Sequence, residues 1–180
     1  MSTDEEFSAF VAARADHLYR QAWLLTGTRQ AAEDLVQTSL TKTYAAWSRV
    51  RRADDPVAYV HGVLMKTFLS DRRRRWSGEV PHGDLPDRPA PHDPTDAQVD
   101  RLALVDALAG LGRTDRAVVV LRYWDDRSVA DTAQVLGLSE AAVKNRSLRA
   151  LRRLGDALSD ALSDVPETHP VPDHIRGSQR

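Results

Sequence analysis

Two clusters of basic side chains carry the clearest chemistry in this sequence. The first is the run Arg72–Arg75, and the second lies between Lys144 and Arg153. Arginine and lysine neutralise phosphates, and both, like asparagine, hydrogen-bond to base edges in the major groove of DNA. The two clusters therefore predict two helix surfaces that bind nucleic acid. The polar members of the second cluster are Lys144, Asn145, Arg146, Arg149, Arg152 and Arg153.

Sequence signatures of catalysis are absent. Gly110-Leu111-Gly112 is not followed by a third glycine or by the lysine-serine of a phosphate loop, and no His-Glu-x-x-His or Gly-x-Ser-x-Gly occurs. The chain has no cysteine, which excludes disulfides and thiolate zinc sites. We expect no shared metal site, no cofactor and no enzyme. Asp125-Asp126 is predicted to be a polar turn, and four of the six histidines are predicted to lie in the linker and tail: His82, His92, His169 and His174.

The charge of the chain is nearly balanced but unevenly distributed. Its 180 residues include 25 Lys+Arg and 26 Asp+Glu, for a net charge of −1. That sum excludes a wholly polybasic binder, and the 42% hydrophobic content makes uniform disorder a poor description. The basic clusters are separated by an acidic stretch. The net charge therefore excludes only uniform, non-specific binding of nucleic acid.

The acidic stretch also contains five of the nine prolines, which predicts a flexible linker at 77–96. We predict domains at 1–76 and 97–164 and a disordered tail at 165–180. The longest strongly apolar run, Ala117–Leu121, is far shorter than the roughly 20 residues that span a bilayer. The acidic start also lacks the basic flank of a signal peptide. No membrane insertion and a cytoplasmic location are expected.

The elements that position these side chains are predicted to be helices only. In the first module, one apolar stripe runs from Phe7 to Leu25 and stops at Gly27, and a second follows a Thr28 cap to Trp47. A third helix begins at Asp55-Pro56 and ends in the arginine run. The fold class is therefore all-α: two small helical domains joined by a flexible acidic, proline-rich linker.

The second module carries a helix-turn-helix pattern. Helices are predicted at about 97–109, at 115–123 after a Thr114-Asp115 cap, at 129–136 and from 140 to about 162. Ser128 is a cap, Gly137 permits the positive φ of the turn, and Ala133 and Val143 suit the crossing of the two helices. The pattern favours a DNA-reading unit, although an ordinary helical hairpin with a solvated basic face is the alternative.

Three motifs in order resemble the extracytoplasmic function (ECF) RNA polymerase sigma factors. They are Ala31-Ala32-Glu33-Asp34-Leu35-Val36-Gln37, Pro56-x-Ala58-Tyr59-Val60 and Gly137-Leu138-Ser139-x-x-Ala142-Val143-Lys144. The resemblance covers about residues 7–160. A SigE-like subgroup is indicated by Trp47-Ser48-Arg49-Val50, Arg73-Arg74-Arg75-Trp76 and Gly78-Glu79-Val80-Pro81.

The resemblance implies an alternative sigma factor that binds core polymerase, recognises −35 and −10 promoter elements and promotes DNA opening. The expected polymerase contacts are the β′ clamp helices and the β flap. Because Asp34 and Gln37 lie three residues apart, they share a helix face that could pair with arginines of a partner helix. The residues expected to bind core polymerase are Glu33, Asp34, Gln37 and Leu40.

The resemblance also implies two DNA surfaces. Flipped bases of the −10 element are expected on the first module, and the −35 element on the second helix of the helix-turn-helix. The −10 residues are Arg49, Arg51, Arg52, His61, Lys66, Ser70, Arg72, Arg73, Arg74 and Arg75. The −35 residues are Glu140, Lys144, Asn145, Arg146, Arg149, Arg152 and Arg153.

Some positions depart from the family pattern or have a second explanation. Gly62 and Lys66 stand where the family commonly has arginine and asparagine, and Ser147-Leu148 where Leu-His often follows. An arginine run at a helix end is also favoured by the helix dipole. The base preference at −10 and the contacts of the second surface therefore remain open.

Other functions stay open at this point. The second candidate function is a helix-turn-helix regulator that binds duplex operators without polymerase. A helical adaptor protein is the third. A regulator would need a dimer surface and a sensing module, and residues 1–76 resemble neither. We expect a monomer that binds promoter DNA and bacterial core RNA polymerase. The sequence leaves open whether an anti-sigma factor binds it.

Overall fold

The structure, a computed structural model, describes residues 2–75 and 96–163, apart from the side chains of 71–75, 96–100 and 162. Across these residues the chain forms α-helices and one π-helical segment, without a strand, which confirms the predicted all-α class. The predicted linker, except for Asp96, and the predicted tail lie outside the described residues.

The first module contains five helices where the sequence predicted three. They are α1 (Thr3–Ala12), α2 (Ala15–Thr26), α3 (Arg29–Ala45), α4 (Trp47–Val50) and α5 (Pro56–Arg75). The single first helix was wrong because the backbone leaves helical geometry at Arg14, with φ −131° and ψ −4°. The predicted end of the second helix at Trp47 was also wrong, since Ala46 separates α3 from α4.

The predicted boundary signals of α2, α3 and α5 are confirmed. Gly27 ends α2 with φ +81°, a left-handed conformation that favours glycine. The Thr28 hydroxyl accepts a hydrogen bond from the backbone N–H of Ala31 at 3.3 Å. The Asp55 carboxylate accepts one from the N–H of Ala58 at 2.8 Å, which caps the start of α5.

The second module contains α6 (Asp96–Ala109), α7 (Arg113–Val119), a π-helical segment (Val120–Trp124), α8 (Val129–Leu136) and α9 (Glu140–Ser163). The predicted Thr114-Asp115 cap was wrong, since α7 already starts at Arg113, after Gly112 and without a side-chain cap. The Ser128 cap is confirmed and forms a capping box with Asp131. Gly137 has φ +65° in the predicted turn, and Ala133 and Val143 pack together with Val118.

The two modules share one apolar core. Leu18, Leu25 and Leu64 are fully buried in the first module. Three residues of the second module, Ala117, Val120 and Leu121, belong to the same buried cluster. Burial of a side chain such as valine or leucine contributes about 1.5–3 kcal/mol, so this contact is substantial. We call this packing of the second module on the first the closed arrangement.

Among the described residues, none of the helices combines the length and the apolar composition that crossing a bilayer requires.

Candidate nucleic-acid and protein interfaces

The predicted protein-binding residues of α3 lie beside an apolar groove. Glu33, Asp34 and Gln37 are exposed, and Leu40 is half-buried. The groove runs between α1, α2 and α3. It is lined by Phe7, Ala15, Tyr19, Glu33, Val36, Gln37, Leu40, Thr41 and Tyr44.

This arrangement suits an amphipathic helix of a partner protein. Aromatic and aliphatic side chains supply the apolar floor, and polar groups stand at the edge, as in helix-in-groove recognition. Glu33 is already paired with Arg29 at 2.9 Å in an exposed ion pair, which contributes little to stability. Asp34 lies on the same helix but does not line the groove. Because the pair with Arg29 is weak, Glu33 stays available beside Gln37 at the edge of the groove, and Asp34 adds an acid next to it.

Most of the predicted −10 residues with described side chains are exposed. Arg49 donates to the Tyr59 hydroxyl at 3.1 Å, and Arg51 donates to the Glu6 carboxylate at 3.1 Å. Arg52, Lys66 and Ser70 are also exposed. The backbone of Arg72–Arg75 forms the last turn of α5, and the side chains of these four arginines lie outside the description.

His61 differs from the other predicted −10 residues because it is buried. Only 5% of it is exposed, and its Nδ1 lies 2.7 Å from the Gln21 Oε1. Burial lowers the pKa of His61 to about 4, so the imidazole is neutral at neutral pH. Lys66 and Ser70 are exposed on α5, so the helix does not present all three side chains on one face. A role for His61 in binding DNA requires the closed arrangement to open.

The partner that covers His61 is Asp125 of the second module. The Asp125 Oδ2 lies 3.5 Å from the His61 Nδ1, and the Asp125 Oδ1 lies 3.0 Å from the His17 Nε2. The Gln21 amide donates to the same carboxylate. The Asp125 side chain is 3% exposed, and its burial raises the pKa of the carboxyl group, with the hydrogen bond to His17 acting in the opposite direction.

The backbone around Asp125 is unusual, and it directs this side chain into the first module. The Asp125 N–H donates to the Val120 carbonyl at 3.1 Å, five residues earlier, which continues the π-helical pattern. Asp126 has φ +50°, the one non-glycine residue of the described chain with positive φ. Such irregular backbone often occurs at functional sites.

This cluster was not predicted from the sequence. Asp125-Asp126 was predicted to be a polar turn, and His17 was not singled out at all. These side chains lie 108 positions apart in the chain, so no local spacing could connect them. The one available signal was the placement of His17 and His61 inside predicted helices, unlike the other four histidines.

Two arginines of α7 hold the modules together through backbone carbonyls of the first module. Arg116 is buried and donates to the Leu25 carbonyl at 2.7 Å. It also donates to the Ala109 carbonyl at 2.6 Å within its own module. Arg113 donates to the Phe68 carbonyl, and its guanidinium lies 4.1 Å from the centre of the Phe68 ring. Leu25 lies at the end of α2, where helix carbonyls lack internal partners and attract cations.

The predicted −35 surface is largely exposed on α9. Exposed side chains are those of Glu140, Lys144, Asn145, Arg149, Arg152 and Arg153. The opposite face is buried through Val143, Ala150 and Leu154. The Ser139 hydroxyl caps the start of α9 by accepting from the Ala142 N–H at 3.1 Å. The second helix of the unit therefore has a fixed orientation and presents one basic face outward.

Arg146, Ser147 and Leu148 differ in burial and contacts from the exposed predicted DNA-binding positions of α9. Arg146 donates to the Asp115 carboxylate at 2.6 Å, so it ties α9 to α7. Ser147 is buried, and its hydroxyl has no hydrogen-bond partner among the described residues. Leu148 and Leu151 are exposed apolar side chains, at 53% and 41%. The departure at Ser147-Leu148 thus places the small residue inside and the apolar residue outside.

Comparison with known families matches both modules separately. The model of Sigma-70 region 2 matches residues 10–78, and that of Sigma-70, region 4, matches residues 101–154. These two matches correspond to the two helical modules.

Curated relatives match most of the chain. It is 39% identical over 153 residues to the RNA polymerase sigma-E factor of Streptomyces coelicolor, which covers 85% of this chain and 86% of that protein. It is 34% identical over 145 residues to the ECF RNA polymerase sigma factor SigL of Mycobacterium tuberculosis, with 76% and 80% covered.

Solved structures show the same fold. The ECF sigma factor SigJ of Mycobacterium tuberculosis is 33% identical, with a TM-score of 0.59 over 83% of this chain and 53% of that chain. The sigma factor RpoE of Bartonella quintana, solved in complex with the anti-sigma factor NepR, is 24% identical. Its TM-score is 0.66 over 86% of this chain and 98% of that chain.

Proposed function

Because the chain belongs to the ECF RNA polymerase sigma factors, we propose a separate role in transcription initiation for each of its exposed faces. The chain is an alternative sigma factor with Sigma-70 regions 2 and 4. The polymerase-independent regulator is not favoured, since a region 2 module occupies the part of the chain where a regulator would carry its sensing module. The observation that carries the assignment of faces is that the α3 groove and the basic face of α9 are exposed together.

The α3 face binds core RNA polymerase at the β′ clamp helices. Asp34 and Gln37 supply an acid and an amide for arginines of the partner, and Leu40 and the groove receive its apolar side chains. A polar rim around an apolar centre is the usual composition of such interfaces. Leu148 and Leu151 on α9 offer a second apolar contact, for which the β flap is our candidate.

The basic face of α9 binds the −35 element in the major groove. Lys144, Asn145 and Arg149 are exposed in the N-terminal half of the helix, where side chains of a recognition helix reach base edges. Arg152 and Arg153 lie further along and contact phosphates. Arg146 keeps its bond to Asp115 and acts mainly by fixing the orientation of α9.

The −10 surface becomes complete only when the closed arrangement opens. The two promoter elements are about 25 base pairs apart, or roughly 85 Å at about 3.4 Å per pair. The two modules are in direct contact through Asp125 and His61, so they cannot occupy both elements in this arrangement. We infer that separation of the modules exposes His61 beside the arginines and Lys66.

An anti-sigma partner is part of this proposal. The Bartonella quintana relative was solved with such a partner. In this chain, the closed arrangement already covers His61, and a partner that binds both modules would stabilise it by mass action. A pull-down with candidate proteins is repeated with two full-chain variants, Asp34→Ala combined with Gln37→Ala in the first module and Lys144→Ala combined with Arg149→Ala in the second. A loss of binding in both variants is expected if the partner contacts both modules.

The central test is reconstitution with bacterial core polymerase. The purified chain, core enzyme and a library of templates with randomised −35 and −10 elements are incubated, and the transcripts are sequenced. Initiation that depends on the chain, with two preferred sequence blocks upstream, is the expected result. Binding of duplex DNA without initiation would instead identify a regulator, and polymerase binding without template preference would identify an adaptor.

A further inference from the structure

Three potential metal ligands from different elements meet where the two modules touch. His17 lies on α2, His61 on α5, and Asp125 directly after the π-helical segment. One donor atom from each of these residues lies within 4.8 Å of those of the other two. The His17 Nε2 is 3.0 Å from the Asp125 Oδ1, and the His61 Nδ1 is 3.5 Å from the Asp125 Oδ2.

These distances fit a tetrahedral ion. Zinc binds imidazole nitrogen and carboxylate oxygen at about 2.0–2.2 Å, which places neighbouring ligand atoms roughly 3.3 Å apart. The two separations, 3.0 Å and 3.5 Å, lie on either side of that value but involve different oxygens of Asp125. With one donor atom from each residue, all three lie within 4.8 Å of one another, so small side-chain rotations would bring them to this spacing. The donor set is two imidazoles and one carboxylate, which first-row divalent transition metals such as Zn²⁺ accept.

We propose that His17, His61 and Asp125 form a binding site for a divalent transition metal of the Zn²⁺ class, which joins the two modules. The fourth position of the tetrahedron is open to water, because the His17 side chain is 47% exposed and gives access from solvent. Three protein ligands and one water is a common arrangement for zinc.

Gln21 supplies the outer hydrogen bond of this site. Its amide donates to the Asp125 carboxylate, which orients that ligand. Its oxygen lies 2.7 Å from the His61 Nδ1 and accepts a hydrogen bond from the ring N–H when no metal is bound. Metal binding requires His61 to carry its proton on Nε2 instead, which leaves Nδ1 free to coordinate without net loss of a proton.

The nearby positive charge limits the affinity. Arg127 lies 3.8 Å from the Asp55 carboxylate, and its positive charge acts on both His61 and Asp125. A second cation at this place is partly repelled. We therefore expect weaker binding than at structural zinc sites with four protein ligands.

The position of the ligands makes the metal a lock for the closed arrangement. Two ligands belong to the first module and one to the second, so the complete site exists only while the modules touch. At a free metal concentration 100 times the dissociation constant, the ratio of closed to open molecules rises about a hundredfold. If the −10 surface is complete only in separated modules, a metal that holds them closed inhibits transcription. This consequence rests on the proposed function, whereas metal binding and closure do not.

The first experiment measures metal binding to the full chain. Zn²⁺ is titrated calorimetrically, and Co²⁺ is titrated by its visible absorption, which reports tetrahedral coordination. One ion per chain is expected, with at least a tenfold loss of affinity in both His17→Gln and Asp125→Asn. His92→Gln removes a histidine that is not one of the three proposed ligands and should leave the affinity unchanged. Equal affinity in all variants, or a loss confined to His92→Gln, overturns the proposal.

The variants are chosen to preserve the fold. A glutamine at position 17 can still donate to Asp125, and asparagine at position 125 keeps the size of the side chain and an acceptor for Gln21. Circular dichroism and thermal unfolding without metal check this directly. If Asp125→Asn does not fold, the comparison of His17→Gln with His92→Gln decides the result alone, because His17 is half exposed.

The second experiment measures closure. Since the chain has no cysteine, Ser48→Cys and Ser159→Cys place one spin label on an exposed site of each module. Pulsed electron paramagnetic resonance gives the distribution of distances between the two labels. Zn²⁺ should narrow this distribution and remove its long distances, and His17→Gln should abolish that effect. If Zn²⁺ binds at the cluster but leaves the distribution unchanged, the metal does not hold the modules in the closed arrangement.

A third measurement separates this inference from the proposed function. Promoter-dependent transcription with core polymerase is measured with and without Zn²⁺, using the wild-type chain and His17→Gln. A loss of transcription with Zn²⁺ by the wild-type chain alone supports the lock. If neither chain initiates transcription, the proposed function fails while the metal titrations still stand. If both transcribe equally well with Zn²⁺, the inhibitory consequence is wrong.

Discussion

The two predicted DNA surfaces differ in how far the closed arrangement exposes them. The basic face of α9 is presented to solvent by a helix whose other face is buried. On α5, His61 is buried against Gln21 and Asp125, whereas Lys66 is exposed. The predicted DNA surface of the second module is therefore exposed in this structure, whereas part of the predicted DNA surface of the first module is covered until the modules separate.

The largest effect is expected from substitutions on the exposed basic face of α9. Lys144→Ala combined with Arg149→Ala removes two base or phosphate contacts, each worth about 1–3 kcal/mol. Promoter-specific transcription should fall by a factor on the order of 100 or more, while core polymerase binding is kept. In vitro transcription and a polymerase-binding assay measure the two quantities.

The matched control removes the same charge elsewhere. Arg20 and Arg101 are exposed and lie outside every predicted surface. Arg20→Ala combined with Arg101→Ala should transcribe at the wild-type level. Normal transcription by the Lys144/Arg149 variant would show that α9 does not bind the −35 element.

The second prediction concerns the contact between the modules, which covers His61. Arg116→Ala removes a buried guanidinium that bonds carbonyls of both modules. The free energy of unfolding should fall by about 2–4 kcal/mol, because buried acceptors lose a charged donor. Urea unfolding measures this loss, and Arg101→Ala on the exposed face of α6 serves as control.

Hydrogen exchange sharpens the same prediction. If Arg116 holds the closed arrangement, its loss should speed exchange in α2 and α5 more than in the α8–α9 unit. A uniform increase over both modules would mean that Arg116 stabilises the fold in general and does not govern the junction.

The third prediction concerns the α3 face, which is predicted to bind core polymerase and is exposed in the closed arrangement. Asp34→Ala combined with Gln37→Ala should weaken core polymerase binding about tenfold, since two polar contacts at an interface rim contribute modestly. Asp16→Ala combined with Gln30→Ala removes the same two residue types at exposed positions of α2 and α3. An equal loss of affinity in both double variants would contradict a specific role for the α3 face.

The smallest effect tests the helix that carries the covered surface. A Cβ added at Gly62 meets no atom within 4 Å. Gly62→Ala should therefore stabilise the protein by about 0.5–1 kcal/mol through helix propensity alone. Thermal unfolding measures the gain, and a loss of stability would contradict the open space beside Gly62 that the structure shows.

The sequence determined much of the local structure, and the reason is the short range of the signals. Helix caps and stops depend on neighbours within four residues, so Thr28, Asp55 and Ser128 could be read directly. The turn at Gly137 followed from its need for positive φ. The break at Arg14 could not be predicted, because the apolar stripe continues through it and no proline or glycine marks it.

Only the tertiary structure decided how the modules meet. The predicted surfaces on α3 and α9 follow from helical periodicity and a family resemblance, since exposure alternates with a known period. The cluster of His17, His61 and Asp125 joins residues up to 108 positions apart. From the sequence, His61 was predicted to bind DNA and Asp125 to lie in a polar turn, and His17 had no predicted role. Contact between distant segments depends on packing of whole modules, which local patterns do not encode. The sequence thus predicts which surfaces bind DNA and protein, and the packing of the modules determines which of those surfaces are exposed.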